Sequence, residues 1–88
     1  MDNMITLGKR HDLTDSYLAL EQGEYGKDTS GKWWARIPKP GFSVANLGSH
    51  DVVEHKDGTI TVSPSILFTS SSGEEWHGYL ERGVWRRI

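Results

Sequence analysis

The sequence predicts an all-β domain, a small antiparallel β-sandwich or partly open barrel of roughly five or six short strands. Asp57-Gly58 lies between Val52-Val53-Glu54-His55 and Thr59-Ile60-Thr61-Val62. An Asp-Gly pair between β-rich runs is a strong hairpin signal. Gly, Pro, Asn, Asp and Ser clusters then punctuate the chain about every ten residues, the spacing of a meandering β-fold.

Taken in order, Met4-Ile5-Thr6-Leu7 is a short edge strand or an arm, followed by the polar Gly8-Lys9-Arg10-His11-Asp12. Leu13, Tyr17, Leu18 and Leu20 fit one helical stripe that Thr14 could cap and Gly23 could end. A strand from Tyr17 to Glu21 fits nearly as well, so a short helix near 13–22 and a strand both stand. Residues 23–32, GEYGKDTSGK, read as a loop. Residues 1–31 are thus expected to be an N-terminal arm and loop segment, and 32–88 the β core of one domain.

Lys32 to Ile37 reads as a strand with Trp33, Ala35 and Ile37 on one face and Trp34 and Arg36 on the other. Pro38-Lys39-Pro40-Gly41 stops it, because neither proline can donate to a ladder. Phe42 to Leu47 returns as a second strand. At Asp57-Gly58 a two-residue loop pairs Val53 with Val62 and His55 with Ile60, all inward. A three-residue loop, Lys56-Asp57-Gly58, would set Glu54 beside Ile60 on the inward face, where an unpaired carboxylate costs several kcal/mol. The two-residue register is therefore expected. Pro64 should break or bulge the following strand, and Thr69 to Glu75 is a polar loop. Trp76 to Leu80 and Val84 to Ile88 form a last hairpin, with Gly83 closing a three-residue loop.

With 88 residues the chain builds one modest core, and four Trp, three Tyr and two Phe can supply much of its buried area. It has no Cys, which removes disulfides, thiolate metal sites and Cys nucleophiles. Met1-Asp2-Asn3-Met4 begins no signal peptide and no apolar run spans a membrane, so a soluble cytoplasmic protein is expected. A net charge of −2 argues against general nucleic-acid binding.

Several blocks carry a resemblance: Trp33-Trp34-Ala35-Arg36-x-Pro38, Asp57-Gly58-Thr59-Ile60-Thr61-Val62-x-Pro64-Ser65-Ile66, Trp76-His77-Gly78-Tyr79-Leu80 and Gly83-Val84-Trp85. Over residues 32–86 the chain resembles a set of small uncharacterised bacteriophage and prophage proteins. Some of these carry a C-P-x-C-G element where this chain has Ile37-Pro38-Lys39-Pro40-Gly41, so a zinc knuckle is not implied here. The resemblance implies a phage origin and work inside an infected bacterium, and supplies no activity.

No nucleophile elbow, phosphate loop or metal-ligand spacing is present, and no catalytic residue, cofactor or metal is expected. His50 and His55, five residues apart, point to opposite faces of a continuous strand. The candidate binding residues are Trp33, Trp34, Arg36, Trp76, His77, Trp85 and Arg86. Exposed Trp beside Arg is the pairing enriched at interface hot spots. Trp33 and Trp34 cannot both face the core, so one is exposed or covered by the N-terminal segment or a second copy. The alternative is that all four Trp pack. The expected function is a non-enzymatic phage protein that blocks a host protein, such as one of defence or metabolism. A stoichiometric sponge for a nucleotide-type signal and a virion accessory protein or homodimer module are the other readings.

Overall fold

In the computed structural model, which describes residues 5–14 and 19–88, nine strands form two stacked sheets. They are β1 (Ile5–Leu7), β2 (Lys9–Arg10), β3 (Glu24–Lys27), β4 (Trp33–Arg36), β5 (Val44–Asn46), β6 (Asp51–Glu54), β7 (Ile60–Thr69), β8 (Glu75–Glu81) and β9 (Val84–Arg87). One sheet has the order β1-β9-β8-β7-β6 and the other β2-β3-β4-β5. This is the expected sandwich, not closed into a barrel, with more strands than expected. The chain passes between sheets twice, at Gly8 and at 47–50. Among the described residues no helix is long and apolar enough to cross a membrane.

The interior follows strand alternation. Ile60, Val62, Ile66, Trp76, Leu80 and Trp85 point inward from the larger sheet, and meet Tyr25, Ala35, Ile37, Phe42 and Leu47. Trp76 and Trp85 pack edge-to-face with centroids 5.6 Å apart, an arrangement favoured by the ring quadrupoles. Trp85 Nε1 donates to the Gly23 carbonyl of the facing sheet at 2.9 Å, so the buried indole leaves no unpaired donor. Gly78 is required by this packing: a Cβ there would lie 2.6 Å from the Trp76 ring and 2.3 Å from the Arg86 carbonyl.

The alternation expected for Lys32–Ile37 is found, with Ala35 and Ile37 buried and Trp34 and Arg36 outward. Pro64 sits in an irregularity of β7, where the register to β8 shifts between Val62 and Ile66.

Four expectations are corrected. The segment 23–32 is not all loop. Its residues 24–27 form β3, held by β4 on one side and, on the other, by the parallel Lys9–Leu13 segment. There Lys9 N–H donates to Gly23, His11 to Tyr25 and Leu13 to Lys27. The described part of the N-terminal segment expected as arm and loop therefore belongs to the core structure, with Tyr25, Leu13 and Leu20 buried. The choice between helix and strand at 13–22 falls largely on residues 15–18, outside the described residues.

The hairpin after β6 also differs. Its partners are Glu54 with Ile60, Val53 with Thr61 and Val52 with Val62, which is the three-residue loop Lys56-Asp57-Gly58. Gly58 takes φ 89, while His55 N–H donates to Thr59 and Gly58 N–H donates to His55. Asp57 Oδ1 stabilises this turn by accepting from Thr59 N–H and Oγ1 at 3.0 and 2.6 Å. Val53 consequently lies on the outer face, 54% exposed, on the opposite side from the buried Ile60. The objection to this register was an unpaired inward carboxylate. Glu54 instead reaches the rim, where Arg10 Nη1 meets it at 2.7 Å and Lys27 Nζ at 3.6 Å.

The last hairpin departs in the other sense. Glu81 pairs with Val84, so Arg82-Gly83 is a two-residue turn with φ 47 and 76, the type I′ geometry. Non-glycine Arg82 takes the left-handed conformation at a cost of about 1 kcal/mol. Its N–H is compensated by Thr61 Oγ1 at 3.0 Å, and the Gly83 N–H by the Ile60 carbonyl.

The observed register makes a prediction that separates it from the expected one. Val53→Thr should change unfolding stability by no more than about 0.5 kcal/mol, while Val62→Thr, which buries a hydroxyl, should cost about 1–3 kcal/mol in urea denaturation. Equal costs would contradict the three-residue loop.

Candidate functional site

The seven candidate residues do not form one site. Trp76 and Trp85 are 4% and 1% exposed and belong to the core, so neither presents a binding surface. Trp33 faces inward at the rim, half-buried, with the Arg10 guanidinium 5.1 Å and the Lys27 ammonium 5.4 Å from its ring centroid. Arg10 Nη1 also donates to the Gly58 carbonyl at 2.9 Å, and its Nε and Nη2 fork onto Asp12 at 2.9 and 3.2 Å. This is a charge-paired clamp between the sheets, and its cations are engaged within the fold.

Trp34 and Arg36 lie on the outer face of the smaller sheet. Trp34 Nε1 donates to Asp28 Oδ2 at 2.9 Å. Asp28 Oδ1 accepts from Ser30 N–H, Ser30 Oγ and Lys32 N–H, closing the β3–β4 loop. The Trp34 indole, the Ser30 hydroxyl and the backbone donors together hold the Asp28 carboxyl well below the usual carboxylate range. Arg36 donates to the Phe42 carbonyl at 3.2 Å and to the Leu20 carbonyl at 3.0 Å. It thereby fastens the segment around the buried Leu20 to this face, so Arg36 is a structural tie.

The outer face of the larger sheet is different. Pairing places Leu7, Val84, Arg86, Tyr79, His77, Leu67 and Val53 on it. Leu7 is 80% and Leu67 55% exposed. At its centre the Arg86 guanidinium lies 4.5 Å from the Tyr79 ring centroid, and Arg86 Nη2 reaches Glu81 at 3.3 Å. His77 Nε2 and Ser65 Oγ are 2.9 Å apart. Of the sequence candidates, only His77 and Arg86 share this face. Reading by composition missed Tyr79, Leu67, Leu7 and Val53. The alternation of Trp76-His77-Gly78-Tyr79-Leu80 already set Tyr79 beside His77, whereas the rejected turn length hid Val53.

Other chemistry has less support. Among the described residues no cluster of three or more His, Asp or Glu could hold a metal ion. No carboxylate bonds the His77 ring among those residues, so Ser65–His77 lacks the orienting third member of an activated nucleophile. A cleft of about 430 Å³ is lined by Lys9, Arg10, His11, Ala19, Glu21 and Glu24. Its basic side is countered by two carboxylates. Burial raises the pKa of Glu24, but donation from Glu21 N–H at 2.9 Å and the His11 ring at 3.1 Å outweighs it and keeps the group ionised. An anionic nucleotide would meet that charge, and among the described residues no aromatic ring lines the cleft for a base.

No protein-family model, curated protein or solved structure matches this chain.

The carboxyl groups set an acid limit to the fold. Arg10 lowers Asp12 and Glu54, Trp34 lowers Asp28, and Thr59 lowers Asp57. Each has a folded pKa below its unfolded value. Its stabilisation is therefore present above about pH 4 and is lost as pH falls through the folded value. Thermal unfolding should be nearly flat from about pH 7 to 5 and fall steeply below about pH 4. Arg10→Ala should cost about 1–3 kcal/mol at neutral pH, through its charged hydrogen bonds and its stacking on Trp33, and should flatten the acid limb. An Arg10→Ala curve parallel to wild type would show that the clamp is not the source of the acid sensitivity.

Proposed function

We propose that this chain is a non-enzymatic binding protein that engages a protein partner through the outer face of its five-stranded sheet. The observation that carries this reading is the contrast between the two outer faces. One holds its Trp and Arg in internal hydrogen bonds, while the other leaves Leu7, Leu67 and Val53 exposed around a Tyr79–Arg86 stack. An outer face with an aromatic ring, an arginine and scattered aliphatics has the composition of a protein-interface core. The aromatic and arginine surface is thus built on Tyr79 and Arg86, with His77 at its side, and the indoles serve the fold.

The resemblance to phage and prophage proteins supports a partner drawn from the infected bacterium, with the chain acting in its cytoplasm by occupying and blocking a host protein, such as one of defence. Binding would be stoichiometric, with Tyr79 and Leu67 as anchors worth about 2 kcal/mol each when truncated.

The test is affinity capture from the bacterial host with wild-type and altered chains, followed by titration of the captured protein. Tyr79→Ala and Leu67→Glu should each weaken the partner at least about tenfold, while Val44→Ser on the opposite outer face should leave it unchanged. A partner that ignores both outer-face changes, or thermal stabilisation by nucleotides without any captured chain, would refute the reading.

A further inference from the structure

Burial and charge on the open sheet face point to a specific occupant. Among the described residues the large hydrophobic side chains left exposed, Ile5, Leu7, Val53, Leu67 and Ile88, all fall on this one face by strand register. Nothing comparable occurs on the other outer face among the described residues.

The face is also electrically polarised along its strands. Its turn end carries Lys56 and Arg82, with Arg86 one step inward; Asp57 lies near Arg82, and Glu81 is tied to Arg86. Three cations thus stand against two acids. The opposite end carries Asp51 and Glu75, which form no ion pair among the described residues, with Arg87 on the inner side of that end and Glu74 neutralised by Lys39. Among the described residues one end is therefore net positive and the other net negative, with an aliphatic and aromatic belt between them.

We propose that a second copy of this chain covers this face, packed sheet against sheet about a two-fold axis that runs the facing strands antiparallel. A two-fold contact must be self-complementary. The polarity satisfies that condition, because the rotation sets the basic end of each copy over the acidic end of the other, twice. Aligned sheets pack about 10 Å apart with strand directions within about 30°, which lets Leu67, Val53 and Leu7 interdigitate. The five strands, about 4.8 Å apart and three to ten residues long, present roughly 24 by 19 Å, so the pair would bury about 900 Å² in total. That is the area of a weak, transient contact, and the dimer is reversible and salt-sensitive. The proposal rests on the reading that this face is the binding surface; a partner protein then competes with the second copy for it.

Sedimentation velocity of the full chain from about 5 to 500 µM decides the matter. Wild type should move from the 9.9 kDa monomer toward twice that mass as concentration rises, with weaker association at high salt. Leu67→Lys and Val53→Lys should each remain monomeric with unchanged circular dichroism. Lys56→Glu should weaken association about threefold, and adding Glu75→Lys should restore it. A wild type that stays monomeric throughout overturns the proposal, as does a dimer that persists in both lysine variants. A monomer that still captures a Leu67-dependent host chain refutes the dimer alone. A dimer that captures none refutes the partner reading alone.

Discussion

Arg10 is the side chain on which the relation between the two sheets turns. It belongs to β2 at the edge of the smaller sheet, yet it bonds Glu54 and the Gly58 carbonyl in the β6–β7 hairpin of the larger one and stacks on Trp33 of β4. Its partner Asp12 is fixed in turn by accepting the Lys27 N–H. The planar fork suits this role, since it can hold a carboxylate, donate to a carbonyl and lie on an indole at once, which a lysine could not. The pairing fits the hairpin register. Glu54 takes the inward side of β6 but stands at the exposed rim, where Arg10 meets it and no carboxylate is buried. Every residue of β6 then follows: Val52 turns in, and Val53 turns out. The clamp and the exposure of Val53 are two consequences of one choice.

The sandwich class, the alternation of β4 and the irregularity at Pro64 were legible because they rest on local rules: the two-residue side-chain period and the missing N–H of proline. The turn lengths were not. Asp-Gly is compatible with a two-residue turn, but the decisive contact joins Arg10 to Glu54, 44 residues apart. Arg82-Gly83 lacks the usual small polar first residue of a type I′ turn, and its strain is offset by Thr61 on the neighbouring strand. β3 escaped notice for a similar reason. Glu24–Lys27 carries few strand-forming residues, and its ladder is completed by Lys9 to Leu13, which no local pattern connects to it. Local propensity found the architecture, and distant partners fixed its register.

The same division explains the site. Four tryptophans looked like more than a small core requires. An 88-residue sandwich, however, must fill a gap of about 10 Å between sheets with few side chains, and large rings do this most economically. Trp85 spans the gap to hydrogen-bond Gly23, 62 residues away in sequence. Trp76 lies over the space that Gly78 leaves open. The tryptophans therefore report packing. On the larger sheet Tyr79, between Gly78 and Leu80, is an aromatic residue that alternation sends outward, and its neighbour across the ladder is Arg86.

The two outer faces differ in what they have left to bind. On the smaller sheet, Trp34 and Arg36 are held by Asp28 and by the carbonyls of Leu20 and Phe42, so recruiting them would first break internal hydrogen bonds. On the larger sheet Arg86 is paired with Glu81 and His77 with Ser65, and these pairs lie within the face. Covering the middle of that face therefore strands no lone charge, while Asp51 and Glu75 at its end call for opposite charge on whatever covers them. The aliphatic side chains around them gain from removal of water at about 25 cal/mol per Å². A face with satisfied polar groups and unsatisfied apolar ones can stay in water as a monomer and still be stabilised by whatever flat surface closes over it.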